Sequence, residues 1–140
     1  MHFGGVNWTA IIIAAVAGFA VGAIWYWIFG KRWMAANGLT EEMCKGSGGI
    51  SGVRPFIFAG IANLLLAIGF AGLLGHMGVG QTTVRNGIIS AVALWLAFII
   101  STLVVNYSFA QRKPVLIAID GGHWLAVMVV MGLILGTMGV

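Results

Sequence analysis

Four long apolar stretches, separated by short polar ones, dominate this chain of 140 residues. They cover residues 8–29, 56–74, 87–109 and 115–138, and none of them contains a lysine or an arginine. At about 1.5 Å of rise per residue, a helix of about 20 residues crosses a hydrocarbon core about 30 Å thick. Backbone polar groups in lipid need partners within the chain, and these runs do not alternate as barrel strands do. The pattern therefore predicts an all-α membrane protein with four transmembrane helices in an antiparallel bundle.

Composition leaves little room for anything besides the membrane part, because 61% of the residues are hydrophobic and 7% are charged. We therefore expect residues 1–140 to form a single transmembrane domain, with residues 30–55 as its main cytoplasmic connection. Within that connection, Thr40 followed by Glu41 and Glu42 predicts a helix start. The glycine-rich run 45–52 is interpreted as a flexible linker, and Pro55 suits the first turn of the second span.

The basic residues predict the orientation. The connections after the first and third spans hold six of the seven, whereas the connection after the second holds only Arg85. Lysine and arginine favour the cytoplasmic side, so we expect a multi-pass protein of the plasma (inner) membrane with both termini outside. The net charge of +4 is explained by this placement and does not suggest a nucleic-acid partner. The six residues are Lys31, Arg32, Lys45, Arg54, Arg112 and Lys113.

Small residues recur at helical spacing in two spans. In the first span they occur every four residues and include Ala14, Gly18 and Gly22, and in the fourth span Gly132 and Gly136 repeat the interval. Small residues on one helix face allow another helix backbone to approach closely. Two interpretations stay open: packing within one bundle, or an interface of a homo-oligomer or larger membrane complex.

Polar and aromatic side chains inside the spans predict a layer in the cytoplasmic third of the membrane. Such side chains are costly in lipid and tend to mark pathways or interfaces. Asp120 and His123 are three residues apart and share a helix face, so a ligand or proton site is one interpretation. The other interpretation is that Asp120 and His123 have only an interfacial or packing role. In that case the fourth span starts as late as Gly121, and Asp120 lies in water at its N-terminal end. The layer comprises Trp25, Tyr26, Asn63, Asn106, Tyr107, Asp120 and His123.

The third span offers a face toward this layer. Trp95, Thr102 and Asn106 share one side of a regular α-helix, and we expect that side to meet the fourth span near Asp120. Trp8, Trp27 and Trp33 are interpreted as anchors at the membrane interface. His2 and His76 are expected near the outer face and His123 near the inner face, so the three cannot converge in one chain. No zinc spacing or nucleophile motif occurs, and we expect no metal, no cofactor and no catalytic residues.

Three groups of residues resemble a known family. They are Gly22–Tyr26 with Phe29-Gly30-Lys31, Leu94–Phe98 with Val105–Phe109, and Leu116–Leu125 with Met131-Gly132. The chain resembles, over most of its length, the small prokaryotic membrane proteins of domain of unknown function family 1761. The resemblance implies four membrane helices and no established activity. The family usually has a proline between Trp-Tyr and Phe-Gly, where this chain has Trp27-Ile28.

Three functional hypotheses follow. The first is a structural or accessory subunit that packs through its small-residue faces into a homo-oligomer or larger complex. The second is a transporter or channel for a small solute, ion or proton that uses the polar layer. The third is an enzyme acting on a lipid or quinone, in which Asp120, His123 and Tyr107 form the site and His123 is the acid/base.

Overall fold

Four helices of membrane-spanning length make up most of the protein. The computed structural model describes residues 5–45 and 50–140, and every regular element in these two stretches is helical. The first elements are α1 (Trp8–Asn37), a short α2 (Glu41–Lys45) and α3 (Ile50–His76). The third span consists of α4 (Val84–Leu94), a π-helical turn (Trp95–Ile100) and α5 (Ser101–Phe109). The last element is α6 (Pro114–Met138). α1, α3, the third span and α6 are long and apolar enough to cross a membrane. The predicted all-α membrane fold is thus confirmed.

The first helix is longer than its apolar run. It begins at Trp8, where the side chain of Asn7 accepts a hydrogen bond from the backbone N–H of Ala10. It continues through the basic residues to Asn37, because these positions and the alanines beyond them are good helix formers. It stops at Gly38, whose φ of 70° places it in the left-handed region. The predicted end at residue 29 is therefore eight residues short, and no break replaces the family's proline.

The connection predicted over residues 30–55 is shorter and more helical than expected. Thr40 starts a helix as predicted, since its hydroxyl accepts a hydrogen bond from the backbone N–H of Met43. Part of the predicted linker, residues 46–49, lies outside the described residues. The prediction is wrong for residues 50–52, which belong to α3, and Pro55 consequently lies in the second turn of α3 instead of the first.

The last two spans begin slightly earlier than the apolar pattern predicts. Thr83 precedes α4, and its hydroxyl accepts a hydrogen bond from the backbone N–H of Asn86. Pro114 opens α6, where a fixed φ suits the first helical position and a missing N–H costs nothing. The early start of α6 overturns the alternative in which the fourth span begins at Gly121, so Asp120 lies inside the helix.

α6 is the central helix of the protein. It packs extensively against α1 on one side and against α4 on another, while α3 packs mainly against α1. α3 and α4 follow each other in the chain but contact each other little. Asn7 donates to the carbonyl of Met138, and the Trp25 indole donates to that of Ile119, so α1 and α6 meet in opposite directions. The most deeply buried large side chains are Ile11, Phe70, Leu74, Leu116, Val127, Met128, Met131 and Leu135.

Two glycines on α6 allow the backbone of the third span to approach. A Cβ at Gly132 would lie 2.5 Å from the carbonyl oxygen of Gly87, and one at Gly136 would lie 2.6 Å from that of Thr83. Both distances are far below van der Waals contact with backbone atoms that cannot turn away. This part of the α4–α6 contact therefore requires glycine.

The small residues of α1 face the other helices of the same chain. Ala14 is fully buried in the core. A Cβ at Gly18 would lie 2.5 Å from the Asn63 side-chain oxygen, and one at Gly22 would lie 3.0 Å from Nε2 of His123. Because these faces are covered within one chain, an interface between copies would need a different surface.

We predict that Gly132→Ala destabilises the protein by about 1–3 kcal/mol, because the added methyl group forces α6 away from α4. Gly69→Ala is the matched control, since a Cβ there meets nothing within 4 Å and alanine favours helix. The free energy of unfolding, measured by denaturing-detergent titration in mixed micelles, compares the two. Equal stabilities of the two variants would contradict the close α4–α6 approach.

Candidate functional site

The carboxylate of Asp120 lies where three helical elements meet. Its side chain is buried, with 6% exposure. The Tyr26 hydroxyl donates to Oδ1 at 2.6 Å, and the Tyr107 hydroxyl donates to Oδ2 at 2.8 Å. The indole N–H of Trp33 also donates to Oδ2, at the longer distance of 3.4 Å. All three donors are neutral, and an ionised carboxylate is a pure acceptor that suits such a set.

Spacing along α1 explains why two of these donors come from one helix. Tyr26 and Trp33 are seven residues apart, which is two helical turns, so both project toward α6. Their rings meet edge to face with centroids 6.1 Å apart. The prediction placed Trp33 at the membrane interface as an anchor, whereas the structure gives it a direct contact with Asp120. Its spacing from Tyr26 is the signal that could have identified it.

Two further indoles hold the backbone on either side of Asp120. Trp25 donates to the carbonyl of Ile119 at 3.0 Å, and Trp95 donates to that of Gly121 at 2.8 Å. These carbonyls belong to a continuous helix, so each indole adds a bond from outside. The helical turn that contains Asp120 is thus hydrogen-bonded by α1 on one side and by the third span on the other.

Glycine residues after Asp120 make this close approach of Trp25 and of the third span sterically possible. A Cβ at Gly122 would lie 2.8 Å from Cζ2 of Trp25, and one at Gly121 would lie 2.5 Å from Cδ1 of Ile100. Any side chain at either position would push the neighbouring ring or aliphatic group away from α6. In the sequence Asp120-Gly121-Gly122, the acid is therefore followed by two residues without a side chain, which allows Trp25 and Ile100 to pack closely against α6.

The π-helical turn decides which residues of the third span face Asp120. A π turn inserts one extra residue, so every later residue is rotated relative to a regular α-helix. Trp95 faces α6 as predicted, but Asn106 is exposed and Thr102 bonds to its own backbone, at Phe98. Tyr107 takes the inward position instead. The predicted α6-facing side of the third span was therefore wrong beyond Trp95. No pattern in the sequence predicts the extra residue of the π turn.

His123 lies beside this cluster without bonding to the acid. It is 7% exposed, and its ring centroid is 5.1 Å from that of Tyr26 and 4.8 Å from that of Trp124. Its Nδ1 has no hydrogen-bond partner among the described residues. No Asp–His hydrogen bond of the kind that orients an acid/base histidine is formed, so this geometry lends no support to the enzyme hypothesis.

Asn63 does not contact Asp120 and lies instead against Gly18 of α1. It is 4% exposed, and its amide nitrogen donates to the carbonyl of Ala59 at 2.9 Å. Its side-chain oxygen, which lies against Gly18, has no partner among the described residues. Within the described residues, Asn63 therefore makes no side-chain hydrogen bond to another helix. Of the predicted layer, Trp25, Tyr26, Tyr107 and Asp120 come together directly.

An open cleft leads to the acid. It has a volume of about 310 Å³. Arg112 at its rim donates from Nη1 to the side-chain oxygen of Asn37 at 3.0 Å, which links the α5–α6 connection to the end of α1. We call this space the Asp120 cleft; it is lined by Trp33, Asn37, Leu39, Tyr107, Arg112, Leu116 and Asp120.

We predict that Tyr26 and Asp120 are energetically coupled in folding. Removing the hydroxyl leaves a buried acceptor without its shortest bond, and bonds to charged groups contribute about 1.5–3 kcal/mol. A double-mutant cycle of Tyr26→Phe and Asp120→Ala, measured by unfolding in micelles, should give a coupling of this size. Ser108→Ala replaces Tyr26→Phe in the control cycle, because the Ser108 hydroxyl donates to the carbonyl of Val104 and not to Asp120. A coupling near zero for Tyr26 would contradict the bond.

Comparison with known proteins gives one match. No curated protein and no solved structure matches the chain. One family model, described as "Protein of unknown function (DUF1761)", matches residues 9–136. The matched stretch contains every donor to Asp120 and both flanking glycines. Because the match covers well over half of the chain, this protein belongs to the DUF1761 family of membrane proteins.

Proposed function

We propose that this protein is a transporter for a small solute that carries a positively charged amine, and that Asp120 is the counter-ion in its binding site. The observation that carries the proposal is a buried carboxylate in an open cleft, whose hydrogen-bond donors among the described residues are all neutral. A charge inside the membrane region is costly unless it is paired. A bound cationic group supplies the missing charge.

The position of the cleft supports binding from the cytoplasm. The orientation expected from the basic residues puts the C-terminal end of α1 and the α5–α6 connection, which form its rim, on the inner side. Beyond Asp120 the α1–α6 contact is sealed by fully buried apolar side chains such as Val127, Met131 and Leu135. A continuous pore through one chain is thus disfavoured, and release to the outside requires the helices to move.

We predict that liposomes containing the protein exchange a small labelled amine, and that Asp120→Asn abolishes this exchange. The probes are ethanolamine, a simple cation, and phosphoethanolamine, which adds an anionic phosphate. Vesicles preloaded with unlabelled probe report exchange in either orientation. Glu42→Gln is the matched control, because it neutralises an exposed carboxylate of α2 that does not line the cleft. Absence of exchange of both probes by the wild type, or full exchange by Asp120→Asn, would contradict the proposal.

A second candidate function is that of an accessory subunit in a larger assembly. The observation that favours it is the third span, which is the least covered of the four within the chain. Its outward face carries the exposed amide of Asn106. An amide on such a face gains by hydrogen bonding to another membrane helix. The partner would be a second copy or another membrane protein.

For this second function we predict that Asn106→Leu lowers the oligomer mass seen by native mass spectrometry from native-lipid particles. The control is Val105→Leu, which changes an exposed apolar residue of the same helix and removes no polar group. A wild-type protein that is monomeric and free of bound polypeptide would argue against the assembly role.

A further inference from the structure

Two side chains of opposite charge line the Asp120 cleft, and they differ in depth. The carboxylate of Asp120 is buried at the base, whereas the guanidinium of Arg112 is exposed at the rim. Resting on the proposed function, we infer that the solute is a zwitterion, with a primary ammonium group toward Asp120 and a carboxylate or phosphate group toward Arg112. The inference follows from the electrostatics, the acceptor capacity and the size of the cleft.

Electrostatics distinguishes a zwitterion from a simple cation. A lone ammonium ion is attracted by Asp120 but must pass Arg112, and this like charge lowers its net gain from binding. A molecule that also carries an anionic group turns that repulsion into a second attraction. Arginine suits this role because its planar guanidinium matches carboxylate and phosphate groups in two-point contacts.

Arg112 is held in place for such a contact. One of its nitrogens donates to the Asn37 side-chain oxygen, and the Asn37 amide nitrogen donates in turn to the carbonyl of Trp33 at 2.9 Å. A guanidinium has five N–H donors, so this bond leaves most of them available. The side chain is thereby fixed at the cleft rim, and within the described residues its remaining donors make no hydrogen bond and can bind an anion.

Asp120 has acceptor capacity left for an ammonium group. A carboxylate offers about four acceptor positions, and the three donors described above occupy three of them. The weakest of these contacts, from Trp33, is 3.4 Å long and its ring lines the cleft. A charged N–H donor therefore takes the open position without displacing either tyrosine.

Size limits the solute to a small molecule. The cleft of about 310 Å³ equals the volume of roughly ten water molecules in the liquid. Leu39 and Leu116 contribute apolar wall to the same cleft. Two sources supply a zwitterion of this size: a soluble amino acid or amino phosphate, and the phosphoethanolamine headgroup of a membrane lipid.

The test measures selectivity by isothermal titration calorimetry on the intact protein in phosphatidylcholine nanodiscs. Phosphoethanolamine should bind about two- to fivefold more tightly than ethanolamine, the gain expected of one partly exposed ion pair. Arg112→Gln should remove that preference and leave ethanolamine binding equal or tighter. Arg85→Gln, which removes an exposed arginine in the first turn of α4, is the matched control and should keep the preference.

The outcomes separate this inference from the proposed function. If both probes bind equally well to the wild type, and both are lost in Asp120→Asn, the amine site stands and the zwitterion is overturned. If neither probe binds, the proposed function itself fails. A preference that survives Arg112→Gln also overturns the assignment of the anionic end to Arg112.

A lipid arm of the same titration distinguishes the two sources. Phosphatidylethanolamine presents a primary ammonium group, whereas the trimethylammonium group of phosphatidylcholine has no N–H to donate. Replacing half of the phosphatidylcholine by phosphatidylethanolamine should abolish binding of soluble phosphoethanolamine if the lipid headgroup occupies the cleft. Unchanged binding supports a soluble zwitterion.

Discussion

The cost of holding one carboxylate inside a membrane helix explains most of what is specific in this structure. Asp120 lies in α6, the helix that the others surround, and each of its donors comes from a different turn or helix. Four neutral helices would pack in many registers, since lipid tails are as apolar as the side chains between the helices. The short bonds from Tyr26 and Tyr107 fix α1 and the third span relative to α6. The acid therefore defines the arrangement as well as the candidate site.

The number and type of helices could be predicted from the sequence, and their ends could not. Hydrophobic runs reveal where lipid can surround the chain, but a helix continues into water as long as its residues favour it. α1 therefore runs past Lys31 and Arg32 until Gly38 adopts a positive φ. The backbone N–H of Gly38 and that of Leu39 then bond to the carbonyls of Ala35 and Met34, which satisfies the helix end.

The site was predictable in part, because buried polar residues are conspicuous in apolar spans. Asp120, Tyr26 and Tyr107 stand out in this way and do meet. Asn106 stands out equally but is exposed, since the π-helical turn before it shifts the helix by one residue. Such a turn arises from packing between helices and leaves no periodic signal. Trp33 was interpreted as an anchor at the membrane interface because tryptophan is common there, and this general tendency does not predict its bond to Asp120.

The pair Gly121-Gly122 has a consequence for the mechanics of the fourth span. Glycine inside a helix costs about 1 kcal/mol per residue relative to alanine, so two in succession make this the intrinsically weakest turn of α6. The turn stays regular while the indoles of Trp25 and Trp95 brace it from outside. The regular geometry of this turn thus depends on hydrogen bonds from neighbouring helices. Any rearrangement that withdraws one of those rings would loosen the backbone at the point where the acid is attached.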